Sequence, residues 1–464
     1  MILLVWDGWS GWRTSAATVD HPVFVKTTKD QTVAAGHSVD PARWQEQLDE
    51  LLGRIAGRFS RVELRRRVKA LVCGLLADLP RKNCWTLAEH AGDPSPDGLQ
   101  HLLARAVWDH DQVRDDLRGY VIEHLGDSEA VLVVDETGDL KKGTHTAGVQ
   151  RQYTGTAGRI ENAQVAVYLV YASPAGHAGI DRELYVPKSW MTDPDRCRAA
   201  GIPDQVRFST KPALAAAMLA RALDAGVPAA WVTGDEVYGA NPRLRAELET
   251  RGVGYVLAVA CDHRVATGAG SQRADALVRR LPARAWQRVS AGRGAKGHRW
   301  YDWAFIQLDP GQQPGHHWLL LRRNLTTREL AFYRCFAPRP VPLATLVRVA
   351  GSRWRVEEIF QSGKGLVGLD QHQVRRWTSW YRWTTLALLA HAFLAVAATT
   401  ERTQRPPPSG LVALTCNEIQ HLLAVLVLTP TRDDAHRMRW SAWRRRQQAR
   451  ARACHYQRQA TQPP

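Results

Sequence analysis

AVLVVDETGD, residues 130–139, decides the fold. Ala130 to Val134 form an unbroken apolar run that ends in acid at Asp135. That is how a strand covered on both faces reads. The same signature returns in AAWVTGDEVYG, residues 229–239, where the apolar run ends at Asp235. Between them, NAQVAVYLVYAS (162–173) and IDRELYVP (180–187) read as further strands. KPALAAAMLARALDAG (211–226) reads as a helix, with Pro212 near its start and Gly226 at its stop. NPRLRAELETRG (241–252) and VGYVLAVACD (253–262) add a helix and a strand. Residues 131–262 therefore predict an α/β sheet with some parallel pairing.

Upstream the pattern is helical. RWQEQLDELLGRI (43–55) places Trp44, Leu48, Leu51, Leu52 and Ile55 at spacings of three and four. VELRRRVKALVCGLLADL follows, then SPDGLQHLLARAVW with Ser95 as the expected N-cap, then DQVRDDLRGYVIEHLG stopping at Gly126. Arg65, Arg66 and Arg67 suit either phosphate or solvent. Downstream, WYDWAFIQL (300–308) and HHWLLLRRN (316–324) predict antiparallel strands across the turn DPGQQPG. Leu386–Ala398 is shorter than a membrane span and contains His391, so it reads as a buried helix. Residues 437–458 hold eight arginines and no acid. The expected organisation is a tail at 1–38, a helical module at 39–126, a core at 127–262 and 342–400, a strand-rich insertion at 263–341 and a basic region at 401–464.

The 464 residues carry a formal charge of +17, which favours a polyanionic partner, nucleic acid before membrane. Seven scattered cysteines without CxxC spacing argue against a zinc ribbon or a disulfide scaffold. MILLVW at the start is too short for a signal-peptide core.

Two strand-end aspartates in one sheet of a basic protein point to chemistry, because ligands of open α/β sheets bind beyond the carboxyl ends of strands. Asp135 and Asp235 would offer oxygen donors to hard cations such as Mg²⁺, and a pair of such ions suits phosphodiester chemistry. Each has an acidic neighbour, Glu136 and Glu236, expected on the opposite face of the strand. Asp139 and Asp262 are weaker candidates. RWRVEEIFQSGKG (353–365) adds a third acid. On a helix, Arg353, Glu357 and Lys364 share a stripe, with Glu358 about a quarter-turn away beside Trp354 and Gln361. Taken alone, Arg353 and Glu357 read first as an ordinary surface ion pair. Gly363 and Gly365 are possible stops before Lys364.

These segments resemble the DDE transposases of bacterial insertion sequences. The branch is the one whose third motif reads Tyr, two residues, Arg, three residues, Glu, six residues, Lys. Arg353, Glu357 and Lys364 fit that spacing, and the Tyr position holds Ala350. VVDETGDLKKG, GVQRQYTGTAGRIENAQVAVYLVYAS, DRELYVPKSW and WVTGDEVYG are also similar to the family, over roughly residues 40–430. The resemblance implies a ribonuclease H-like α/β core with a strand-rich insertion, preceded by an all-helical DNA-binding domain. It implies Asp135, Asp235 and Glu357 as catalytic metal ligands for two Mg²⁺ ions, with Mn²⁺ able to substitute. It implies cleavage and joining at terminal inverted repeats, with double-stranded DNA as partner at element ends and target, no membrane, a homodimer on DNA and a cytoplasmic location at the bacterial nucleoid. Lys141, Lys142, Arg151, Arg353 and Lys364 would hold phosphate. Trp286, Trp300, Trp303 and Trp318 of the insertion are candidates to stack on a flipped base. A silent transposase-derived DNA-binding protein and a plain nuclease of the same fold are the alternatives; a serine or tyrosine recombinase is disfavoured by the paired acids.

Overall fold

The computed structural model describes residues 39–294, 297–309, 314–407, 411–428 and 433–461. The tail expected at 1–38 lies outside them.

Five helices open the described chain: Pro41–Ala56, Val62–Leu76, Cys84–His90, Asp97–Ala104 and His110–Leu125. Their stops and starts follow local chemistry. Asp40 and Asp109 cap the first and last through their carboxylates, and Gly126 ends the series. Ser95 falls outside its helix: Pro96 is the N-cap residue, and the Ser95 hydroxyl bonds the Asp97 carboxylate at 3.0 Å instead.

The sheet starts with β1 (Val131–Leu140), β2 (Gln150–Thr154), β3 (Arg159–Ala172) and β4 (His177–Leu184), followed by β5 (Trp231–Gly234) and β6 (Gly254–Val259). β1 runs antiparallel to β3 and parallel to β5, and β5 runs parallel to β6. β1 is thus paired on both edges over Val131–Val134 and fully buried there, as its apolar run requires. β7 (Arg264–Thr267) and β8 (Gly270–Arg273) form a small hairpin. β9 (Gln287–Gly294), β10 (Gly297–Gln307), β11 (His316–Arg323) and β12 (Leu330–Ala337) form an antiparallel meander. The meander is not a separate sheet: β12 pairs with β6 and extends the main one to ten strands. One face of it keeps a small core of its own, including Val259, Leu277, Leu319 and Phe332. A large mixed sheet of this kind fits a ribonuclease H-like core.

Helix Trp377–Gln404 is buried almost all round. It packs on β4 and on the opening helices, so one continuous apolar cluster joins the helical module to the sheet. It is long and apolar enough to cross a membrane, yet 94% of its most apolar window is buried inside the protein, as expected for Leu386–Ala398. The buried Arg382 fastens the two parts. Its guanidinium donates to the Leu102, Leu103, Ala106 and Trp108 carbonyls at 2.6–3.3 Å, satisfying backbone acceptors around the end of helix Asp97–Ala104.

A candidate acidic active site

Asp135 stands where the parallel pairing of β1 with β5 has just ended, at Val134 opposite Gly234. β1 continues beside β3 alone, so one of its edges is open. Asp235 leaves the end of β5 and caps the short helix Glu236–Gly239, its carboxylate accepting from Val237 N–H at 2.8 Å. The capping role and the strand-end position coexist, since the second oxygen is not needed by the cap. Glu357 comes from helix Trp354–Val367. That helix does not stop at Gly363 or Gly365; it runs on to a left-handed cap at Gly368, with φ of 64°. Arg353 joins it to the preceding helix Leu343–Ser352, so Arg353, Glu357 and Lys364 hold one stripe.

These parts meet around a cavity of about 560 Å³. Its wall includes Asp135, Glu136, Asp235 and Glu357 with Arg353, Lys211 and Lys364. Glu358 is outside it, paired with Arg355 at 2.8 Å and His177 at 3.3 Å. Trp354 and Gln361 also line it, although expected beside Glu358, because each lies within about 60° of Glu357 on the helix. Glu136 also departs from the expected opposite face. Beyond Val134 both side chains can bend toward the open edge, and Glu136 is held there by Lys211 at 2.6 Å and the Tyr238 hydroxyl at 2.5 Å. Glu236 follows expectation and is exposed outside the cavity wall.

The electrostatics follow from this crowding. Burial pushes Asp135 up to about 7; Arg353, 3.3 Å away, opposes that, while Asp235 and Glu136 add to it. Asp235 is raised by burial and by Glu136, against Arg353. A cluster of carboxylates that resist ionising together is relieved by a divalent cation, and an all-oxygen donor set suits Mg²⁺ or Mn²⁺. Arg353 keeps a buried Nε without a partner. Lys364 donates to the Thr137 hydroxyl at 2.8 Å and the Thr156 hydroxyl at 3.2 Å. Lys211 had no signal in the sequence, and the three-residue spacing of Tyr238 from Asp235 and of Trp354 from Glu357 did not single those two out.

Other expected residues lie elsewhere. Lys141 is turned inward, its ammonium 3.2 Å from His372 and 4.0 Å from Asp139, and burial lowers it. It is thereby unavailable at the surface as a phosphate ligand. Asp139 is the buried centre of that group, with His372 at 3.1 Å. Burial raises it, but His372, Lys141 and Lys364 hold it below its ordinary range. Lys142 and Arg151 are exposed, Asp262 lies in an exposed turn, and none of the three lines the cavity. Arg65 donates to the Phe59 carbonyl and Arg67 sits beside His101, leaving Arg66 the freest of the trio. Trp303 and Trp318 are buried, and Trp286 lies under the Arg323 guanidinium. Trp300 is 51% exposed but outside the cavity wall, whereas Trp354, 52% exposed, is part of it. Among the described residues the group whose ligand atoms all lie within 4.8 Å of one another is Asp109, His110 and Asp111, not the cavity acids. Its atoms are otherwise engaged: Asp109 caps a helix, and Asp111 bonds Arg114 and Arg182.

The sequence profile of the DDE superfamily endonucleases matches residues 54–301, more than half of the chain. The chain belongs to the DDE superfamily endonucleases. Asp135 and Asp235 lie inside the matched span of this endonuclease, and Glu357 lies beyond its end. A curated relative, a probable transposase for insertion sequence element IS701 from Microchaete diplosiphon, is 30% identical over 199 residues. That alignment covers 42% of this chain and 49% of the relative, so the chain matches about half the relative's length. The endonuclease is therefore similar to insertion-sequence transposases in sequence.

Proposed function

We propose that this DDE endonuclease is a transposase that cuts and joins DNA at the terminal inverted repeats of an insertion sequence. Asp135, Asp235 and Glu357 would hold two Mg²⁺ ions, which supply an activated water and stabilise the leaving oxygen. The protein's own residues then do the positioning. Arg353 and Lys364 flank the acids on one helix stripe and would take the phosphates on either side of the scissile bond. Thr137 and Thr156 fix the Lys364 ammonium. Lys211 would share itself between Glu136 and an incoming phosphate. Lys142, Arg151 and helices 39–126 would contact the duplex farther out, and a homodimer would bring two ends together at the nucleoid. The observation that carries the reading is the convergence of three acids from two strand ends and a helix with Arg353 and Lys364 in one cavity. The similarity to a probable insertion-sequence transposase supports it.

The test uses labelled element ends with Mg²⁺. Wild type should nick at the element boundary and transfer the freed 3′ end to target DNA. Asp235→Asn should abolish nicking and leave end-binding near wild type, because it removes a metal ligand and no phosphate ligand. Nicking by Asp235→Asn at the wild-type rate would refute the assignment, and cleavage without transfer would make the protein a plain nuclease.

A further inference from the structure

The last described helix, Asp434–Thr461, is anchored by one stripe. Trp440 is buried and its indole N–H donates to the Asp93 carbonyl at 2.8 Å. Trp443 meets Trp85 edge-on, with ring centres 4.7 Å apart. Arg444 pairs with Glu89 at 2.5 Å, and His436 bonds the Glu89 carbonyl. These four side chains occupy about 100° of the helix circumference. Trp85 and Glu89 both belong to helix Cys84–His90, which therefore holds the arginine-rich helix against the body of the protein.

Past the anchor come Arg445, Arg446, Arg450 and Arg452, all exposed. Among the described residues none of the four has an acidic partner, and the chain carries no acid after Asp434. Arg445 and Arg452, seven apart, share a stripe on the far side from the anchor; Arg446 and Arg450, four apart, share another. Like charges at that spacing destabilise a helix in isolation. Docking by two tryptophans offsets this and leaves the guanidiniums exposed on two stripes about 130° apart. Trp85 also lines a cavity of about 250 Å³, together with Asn83, Gln100, Arg375 and Arg376 among others. Arg375 and Arg376 are likewise exposed and without an acidic partner among the described residues. Four arginines spread over roughly 10 Å of helix rise face about six charges on a duplex that carries one per 1.7 Å.

We propose that Arg445, Arg446, Arg450 and Arg452, with Arg375 and Arg376 of the cavity that Trp85 lines, form a second duplex-binding surface that grips DNA phosphates outside the acidic cavity without reading sequence. This rests on the transposase reading only in taking DNA as the polyanion. The test is the salt dependence of binding of the full chain to a labelled duplex of arbitrary sequence, followed by fluorescence anisotropy. Replacing the four helix arginines by glutamine should make the slope of log K against log salt shallower by about 3.6, since each phosphate contact contributes about 0.9. Arg375→Gln with Arg376→Gln should make it shallower by about 2. Lysine at the same four helix positions should restore the slope, which separates lost charge from misfolding. If either glutamine variant keeps the wild-type slope, the surface as drawn is wrong. A change in sedimentation with an unchanged slope would make the helix a self-association face and overturn the proposal. If wild type binds no duplex at all, it is the DNA reading itself that fails.

Discussion

Glu357 and Glu358 are neighbours in sequence with different surroundings in space. Glu357 lines one cavity with Asp135 and Asp235; Glu358 is tied to Arg355 and His177. Glu357→Gln should lower Mg²⁺-dependent cleavage by about two orders of magnitude or more, because a metal ligand loses its charge. Glu358→Gln should keep cleavage within a few-fold and cost less than about 1 kcal/mol in chemical denaturation, the range of a partly exposed ion pair. Equal losses in the two variants would reverse the assignment. His391 offers a residue-scale test of pH. It is buried, bonded to the Ser362 hydroxyl at 2.7 Å, and burial pushes it down to about 3. Between that value and the ordinary histidine range near 6.5, the unfolded chain binds a proton that the native state does not. Stability therefore falls as pH falls through this window, by about 1.4 kcal/mol per pH unit for one full proton. His391→Gln should remove that increment from the slope of unfolding free energy between pH 4 and 6.

At the scale of elements, the short helix Glu236–Gly239 is what aims Asp235. It lies so close to β6 that a Cβ on Gly239 would sit 1.8 Å from the Ala258 carbonyl oxygen. Gly239→Ala must lift the helix or bend the strand, at a cost of about 2 kcal/mol or more. Cleavage should fall further than duplex binding, because the aspartate is displaced while the basic surface is not. Gel-shift and cleavage assays on one preparation would read both. The long helix Trp354–Val367 keeps Lys364 on the site only because it continues to Gly368, where a positive φ ends it. Glycines at 363 and 365 weaken a helix in isolation, and packing of Val356, Ile359, Phe360 and Leu366 against the core overrides that preference.

At the scale of the molecule, the opening helices and the sheet share one apolar core through helix Trp377–Gln404. Calorimetry should therefore show one cooperative transition for the two parts, and two resolved transitions would refute the shared core. Arg382→Met should cost about 3–5 kcal/mol, since it strands four buried carbonyls at the junction. Its transition should remain single if the apolar contact is what couples the parts.

What the sequence determined on its own was whatever depends on short-range pattern. Apolar runs ending in acid located β1, β5 and their aspartates; three- and four-residue spacing located the opening helices; the separation of Arg353, Glu357 and Lys364 placed them on one stripe. The tertiary structure decided everything set by which edges and surfaces meet. The end of the parallel pairing at Val134 let Glu136 share the cavity with Asp135, where strand alternation alone forbids it. The Asp139–His372 pair drew Lys141 inward from the surface that its position in KKG suggested. Lys211 reached the site from a segment that shares no motif with the acids, Tyr238 crossed from the Asp235 segment to bond Glu136, and β12 joined the insertion to the main sheet through β6. Periodicity reports which way a side chain leaves its own backbone; only the packing of one element against another says what it then meets.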